Sequence, residues 1–174
     1  YINTAPGAKE IISLLKYLNK EIYVISAGIK LAVSLFAESL GISASNVLAV
    51  DVYFDKNGRY SGFDEQSKLA QLFGKPTEIS SILKPAQRSL LVGDGVSDWE
   101  ANEVVTRFIG YAGSNPKKAV QEKADFFINN TSLFSVLPLG LTKEESNAIP
   151  KEYITFYEKG INDIQNGFVN IKGN

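Results

Sequence analysis

Apolar positions in this chain recur in two rhythms. In TAPGAKEIISLLKYLNK, Ile11, Ile12, Leu14, Leu15 and Leu18 share one helical face, and Pro6 suits the helix's first turn. EIYVIS follows as a short buried strand, and AGIKLAVSLFAESLG as a second helix that Gly41 can stop. The period then changes. In NVLAVDVYFDKNGRYSGF, Val50, Val52 and Phe54 alternate with other residues, and Asn57-Gly58 marks a hairpin because both residues tolerate positive φ. KPTEISSILK reads as a helix with Pro76 in its first turn, SLLVGD as a buried strand and DWEANEVV as helical. RFIGYAG and DFFIN read as strands, and NPKKAVQEKA and TSLFSVL as helices.

Strands alternating with helices over short connectors predict an α/β domain with a mainly parallel sheet flanked by helices, a Rossmann-like core with one inserted β-hairpin. Beyond Pro138 the character shifts. Residues 1–138 are expected to form the core. Residues 139–174 are expected to form a C-terminal helical extension, with helices over Lys143–Asn147 and Lys151–Gln165. Tyr153, Phe156 and Tyr157 would pack it onto the core, and VNIKGN would be a frayed end.

Composition narrows the chemistry. The 174 residues contain neither Cys nor His, which excludes a Ser-His-Asp triad, a thiol nucleophile and an ordinary zinc site. A metal would need oxygen ligands, as Mg2+ or Ca2+ does. The net charge of −1 comes without a basic patch, so no nucleic-acid partner is expected. No apolar run approaches the roughly 20 residues of a membrane span. The expected partner is a small molecule, and the default location is the cytoplasm.

In open α/β sheets, ligands bind beyond the carboxyl ends of the strands. Three features fall at such ends. Ser26, followed by Ala27, Gly28 and a helix start, could cradle an anion with its hydroxyl and the backbone N–H groups. Helix capping is the competing role for that serine. Asp94 stands between Gly93 and Gly95, where a cation can come close, and Asp98 follows one turn into the next helix. The bland alternative is a turn with Asp94 as a helix cap. Lys75, in FGKPTEI, places a cation just before a helix. Lys68 competes for that role, and spacing alone does not separate the two.

Together these pieces resemble the haloacid dehalogenase (HAD) superfamily, and within it the phosphoserine phosphatase family. The resemblance runs from about Thr4 to Leu137. TAPG before a helix looks like the start of the family's second core element, and VISAG resembles its second motif. GRYSGFDE is similar to the segment after its hairpin, and FGK resembles its third motif. VGDGVSDWEAN resembles the fourth motif, and RFIGYAGSNP the segment after it. The resemblance implies a Mg2+-dependent phosphatase acting on a small phosphorylated metabolite, with phosphoserine as the first substrate expected. It implies that Ser26, with the Ala27–Gly28 backbone, holds the transferring phosphoryl group. Lys75, preferred over Lys68 on this ground, would offset charge on the phosphate. Asp94 would bind Mg2+, and Asp98 would sit behind it, fixing Lys75 or the metal-bound waters.

The family's first motif is a strand ending in two aspartates one residue apart, the first of which becomes an aspartyl-phosphate. No such pair occurs among the 174 residues, and Asp51 and Asp55 lie in the hairpin. The resemblance puts the missing strand between those at Ile22–Ile25 and Leu90–Val92. The expectation is a longer protein, cleaved, swapped or incompletely represented here, whose N-terminal segment carries that motif and most of a helical cap. Residues 1–174 alone are expected to be inactive. A different class, a non-catalytic phosphatase-like module that binds a ligand or partner, would also fit the absence of the nucleophile.

Overall fold

The computed structural model describes residues 4–113 and 115–172. In chain order its elements are α1 (Ala8–Tyr17), β1 (Val24–Ile29), α2 (Lys30–Ser39), β2 (Val47–Val50), β3 (Val52–Phe54), β4 (Tyr60–Phe63), α3 (Gly74–Ile82) and β5 (Leu90–Gly93). These are followed by α4 (Val96–Trp99), β6 (Arg107–Tyr111), α5 (Lys118–Lys123), β7 (Phe126–Ile128), α6 (Val136–Gly140), α7 (Lys143–Asn147), α8 (Lys151–Gln165) and β8 (Val169–Ile171). The α/β class expected above is the one observed. The chain forms two compact units, one from residues 1–20 and 86–174, the other from Glu21–Pro85.

The first unit is built on a four-stranded sheet in the order β5-β6-β7-β8, parallel through β7 and antiparallel at β8. Alternation along the strands sends neighbours to opposite faces. Phe108 and Phe127 join Ala112, Val120 and Ala124 in one buried cluster. Ile109 and Ile128 join Ile11, Leu14, Phe134 and Leu137 in another. Both faces of the sheet are therefore covered, as parallel strands require. Tyr153, Phe156 and Tyr157 of α8 pack against the second cluster, with Phe156 stacked on Phe134 at 5.8 Å between ring centres. Helix α6 spans residues 138 and 139, where the core was expected to give way to an extension.

Several boundaries differ from the sequence reading. Val169–Ile171 is not frayed: it pairs with β7, Val169 opposite Ile128 and Ile171 opposite Phe126. Residues 173 and 174 of that expected frayed end lie outside the described part. The helix expected over TSLFSVL begins only at Val136. Ahead of it, Ser132 N–H donates to Asn130 Oδ1 and Phe134 N–H to Ser132 Oγ, local bonds that compete with helix formation. Helix α1 starts at Ala8, so Pro6 precedes it. The DWEANEVV helix is one α-turn followed by a 3-10 turn over Glu100–Glu103.

Helix α7 carries a reciprocal cap. Thr142 Oγ1 accepts the Glu145 N–H at 3.2 Å, and Glu145 Oε2 accepts the Thr142 N–H at 2.8 Å. Lys20 also donates to the Glu145 carboxylate. Thr142→Ala should therefore cost about 1 kcal/mol. Urea unfolding followed by Trp99, the chain's one tryptophan and part of this unit, would read that loss, and an unchanged midpoint would refute it.

In the second unit, β1 and β2 pair in parallel and β3 and β4 form the hairpin. The hairpin turns on Gly58 alone, at φ 75°, and Asn57 keeps negative φ. The Asp55 carboxylate organises the loop by accepting N–H bonds from Asn57 and Arg59. Ala37, Ile42, Val47, Ala49, Val50, Leu69 and Ile79 are buried. Among the described residues, no helix is long and apolar enough to cross a membrane.

Candidate functional site

Asp94 and Asp98 share the turn after β5. Helix α4 has Gly95, not Asp94, at its N-cap, so Asp94 is not a helix cap. Asp98 performs the cap instead. Its Oδ2 accepts the Gly95 N–H at 2.9 Å, and its own N–H donates back to Gly95 O at 3.1 Å. Asp98 is buried, 8% exposed. Gly93 makes this possible: a Cβ there would lie 2.3 Å from Asp98 Cβ. The glycine before Asp94 thus makes room for Asp98, where the sequence reading had it making room for a cation. With Asp98 locked inward, the Asp94 side chain is presented outward, 58% exposed.

One residue at this turn escaped the sequence reading. Lys117, at the N-cap of α5, places Nζ 3.0 Å from Asp94 Oδ2. In NPKKAVQEKA it reads as one of several solvated lysines, and only the β6–α5 connection brings it to the end of β5.

Ser26, Gly28 and Lys75 belong to the other unit. The strand carrying Ser26 runs on to Ile29, further than expected, but its pairing is interrupted. Ile25 faces Leu48 and the next partnered residue, Ile29, faces Val50. Residues 26–28 on β1 therefore oppose a single residue on β2, an irregularity of the kind that re-aims strand residues. Helix α2 has Ile29 at its N-cap with no side-chain cap bond, so Ser26 does not cap it. Instead Ser26 Oγ accepts the Gly28 N–H at 3.0 Å, and a Cβ at Gly28 would press on that oxygen at 3.1 Å. Beside Ala27 and Gly28 lies an open hollow of about 430 Å³ with Val50, Val52, Tyr60 and Phe63 on its walls and no charged side chain.

Lys75 is the second residue of α3. Gly74 is required ahead of it, because a Cβ would sit 1.6 Å from the Lys68 carbonyl oxygen. Lys68 lies in the preceding 3-10 turn and lines a separate cavity of about 290 Å³ with Asp51, Asp64 and Glu78. That wall already supplies opposite charge. Lys30, on the same cavity, bonds Asp51 at 3.0 Å.

Among the described residues no group of three acids is placed to hold a metal ion. Asp94 nevertheless has the right donor chemistry for Mg2+, which keeps several waters and is bound through one or two carboxylates plus substrate phosphate.

No family model matches the chain. Over 128 residues it is 34% identical to human phosphoserine phosphatase, a match covering 72% of this chain and 56% of that protein. The chain thus spans about half the length of most of the curated relatives it matches, from 56% down to 35%. Its fold is similar to that of a phosphoserine phosphohydrolase-like protein from Francisella tularensis, with a TM-score of 0.68 and 21% identity over 78% of this chain and 62% of that one. It is also similar to a substrate-bound phosphoserine phosphatase complex, with a TM-score of 0.67 and 24% identity over 79% of this chain and 64% of that one.

Proposed function

Because the chain belongs to the HAD superfamily and is phosphoserine phosphatase-like, we propose that the protein hydrolyses small phosphomonoesters in a Mg2+-dependent reaction, with phosphoserine the first substrate to test. The observation that carries this reading is the β5 turn, where a buried, hydrogen-bonded Asp98 leaves Asp94 facing outward at a strand end. Asp94 would hold the Mg2+, and the bound ion would offset phosphate charge. Asp98 keeps the turn in shape. Ser26 Oγ and the Ala27–Gly28 backbone would bind phosphoryl oxygens, and Lys75 would stabilise the charge that builds on them.

The nucleophile is assigned to an aspartate outside residues 1–174, since no two aspartates here stand one residue apart. Residues 1–174 alone would then release no phosphate. The proposed location is the cytoplasm.

The test is phosphate release from phosphoserine and other small phosphomonoesters by the whole protein, with Mg2+ and with excess EDTA. Mg2+-dependent release that EDTA abolishes is expected. Failure on every such ester in the presence of Mg2+ would sink the reading.

A further inference from the structure

The Asp94 carboxylate already has a cation on it. The Lys117 ammonium lies 3.0 Å from Oδ2, an exposed pair with side chains 47% and 58% accessible. The lysine is tethered there. Its carbonyl accepts the Val120 and Gln121 N–H groups at 2.9 and 3.1 Å, and Val120 is fully buried in the sheet's covering cluster. Its stem therefore starts from a fixed point at the head of α5.

Resting on the assignment of Asp94 as the Mg2+ ligand, we propose that Lys117 is a built-in counter-ion that holds the Asp94 carboxylate in the empty protein and is displaced by the divalent cation. Lys117 thereby sets the cation affinity of the site. An ammonium and a divalent cation on one carboxylate repel each other, so either one weakens the other's hold. A solvent-exposed ion pair is a weak competitor, so it adjusts cation affinity without closing the site. Lys117 is a positioning residue here: it acts on the cation through Asp94.

The probe is Mn2+ alone, titrated into the purified whole protein and followed by the electron paramagnetic resonance signal of the free ion. Lys117→Met should tighten Mn2+ binding by about two- to fivefold, the range an exposed pair is worth. Lys117→Arg, which keeps the charge and the reach, should return the wild-type affinity. Lys118→Met removes the same charge one residue away, where the lysine pairs with Glu122 at 3.6 Å. It should leave Mn2+ binding unchanged.

An affinity unchanged or weakened in Lys117→Met overturns the inference. So does equal tightening in Lys118→Met, which would make the effect one of general charge. Asp94→Asn separates this from the reading beneath it. If the wild type binds no Mn2+, or Asp94→Asn binds it as well as the wild type, the Asp94 assignment fails and the counter-ion with it. Asp94-dependent binding that ignores Lys117 overturns the counter-ion alone.

Discussion

Asp94→Asn should lower phosphomonoester hydrolysis by the whole protein about 100-fold or more, the usual scale for losing one preorganised electrostatic contact at a phosphoryl site. The melting temperature should stay where it is. Asp94 is more than half exposed, and its one described ion pair is the solvent-facing contact with Lys117, the kind of surface pair that contributes little to stability. The amide keeps the side chain's shape but removes its charge and turns one acceptor oxygen into a donor. Asp98 differs: it is buried and carries the Gly95 N–H bond, so changing it would disturb the turn itself. Rates measured across a Mg2+ titration, beside a thermal melt, make the comparison. A variant with near-wild-type turnover would remove Asp94 from the metal site. A variant that melts early would show that the carboxylate supports the fold.

The second large effect belongs to the sheet. Phe127 is 1% exposed and sits opposite Gly110 in the β6–β7 ladder. Phe127→Ala should cost about 3–5 kcal/mol, because it removes a buried ring and leaves a hole that the rigid strands cannot close. That is a large share of the ~5–15 kcal/mol that holds a typical domain together. The two positions are coupled. A Cβ at Gly110 would meet Phe127 Cδ2 at 2.6 Å, so Gly110→Ala alone should be destabilising by overpacking. Made together with Phe127→Ala, it should cost less than it does alone. Urea unfolding of the two single variants and the double variant closes the cycle. Additive costs would mean that the ring and the glycine do not share one space.

The elements legible in the sequence are those with a local cause. The Asn57-Gly58 turn, the apolar LLV run before Asp94 and the amphipathic pattern of α1 each announce themselves within a few residues. The sheet edge was hidden because VNI is too short to show alternation, and its partners in β7 lie 41 to 45 residues upstream. The site divides the same way. Asp94 and Asp98 stand out because two acids follow a buried strand, but their division of labour was not readable. Only Gly93's missing side chain, seen against Asp98, shows which acid turns inward. Capping, the competing role for Ser26, fails because the strand runs past it to Ile29. Lys117 carried no signal at all, since the contact that singles it out spans 23 residues.

The chain leaves the sheet-bearing unit after Lys20 and returns at Ala86. That detour has a consequence on the ribosome. Ile11 and Leu14 emerge well before Ile109, Ile128 and Leu137, which complete the cluster that buries them. At ~5–20 residues per second of translation, roughly 5–20 s pass between Leu14 and Ile109 alone. Glu21–Pro85 is continuous and can collapse during that interval, while α1 waits with its apolar face in water. Nascent chains stalled before Ile109 should therefore offer α1 to chaperones, and release from the chaperone should coincide with completion of the sheet.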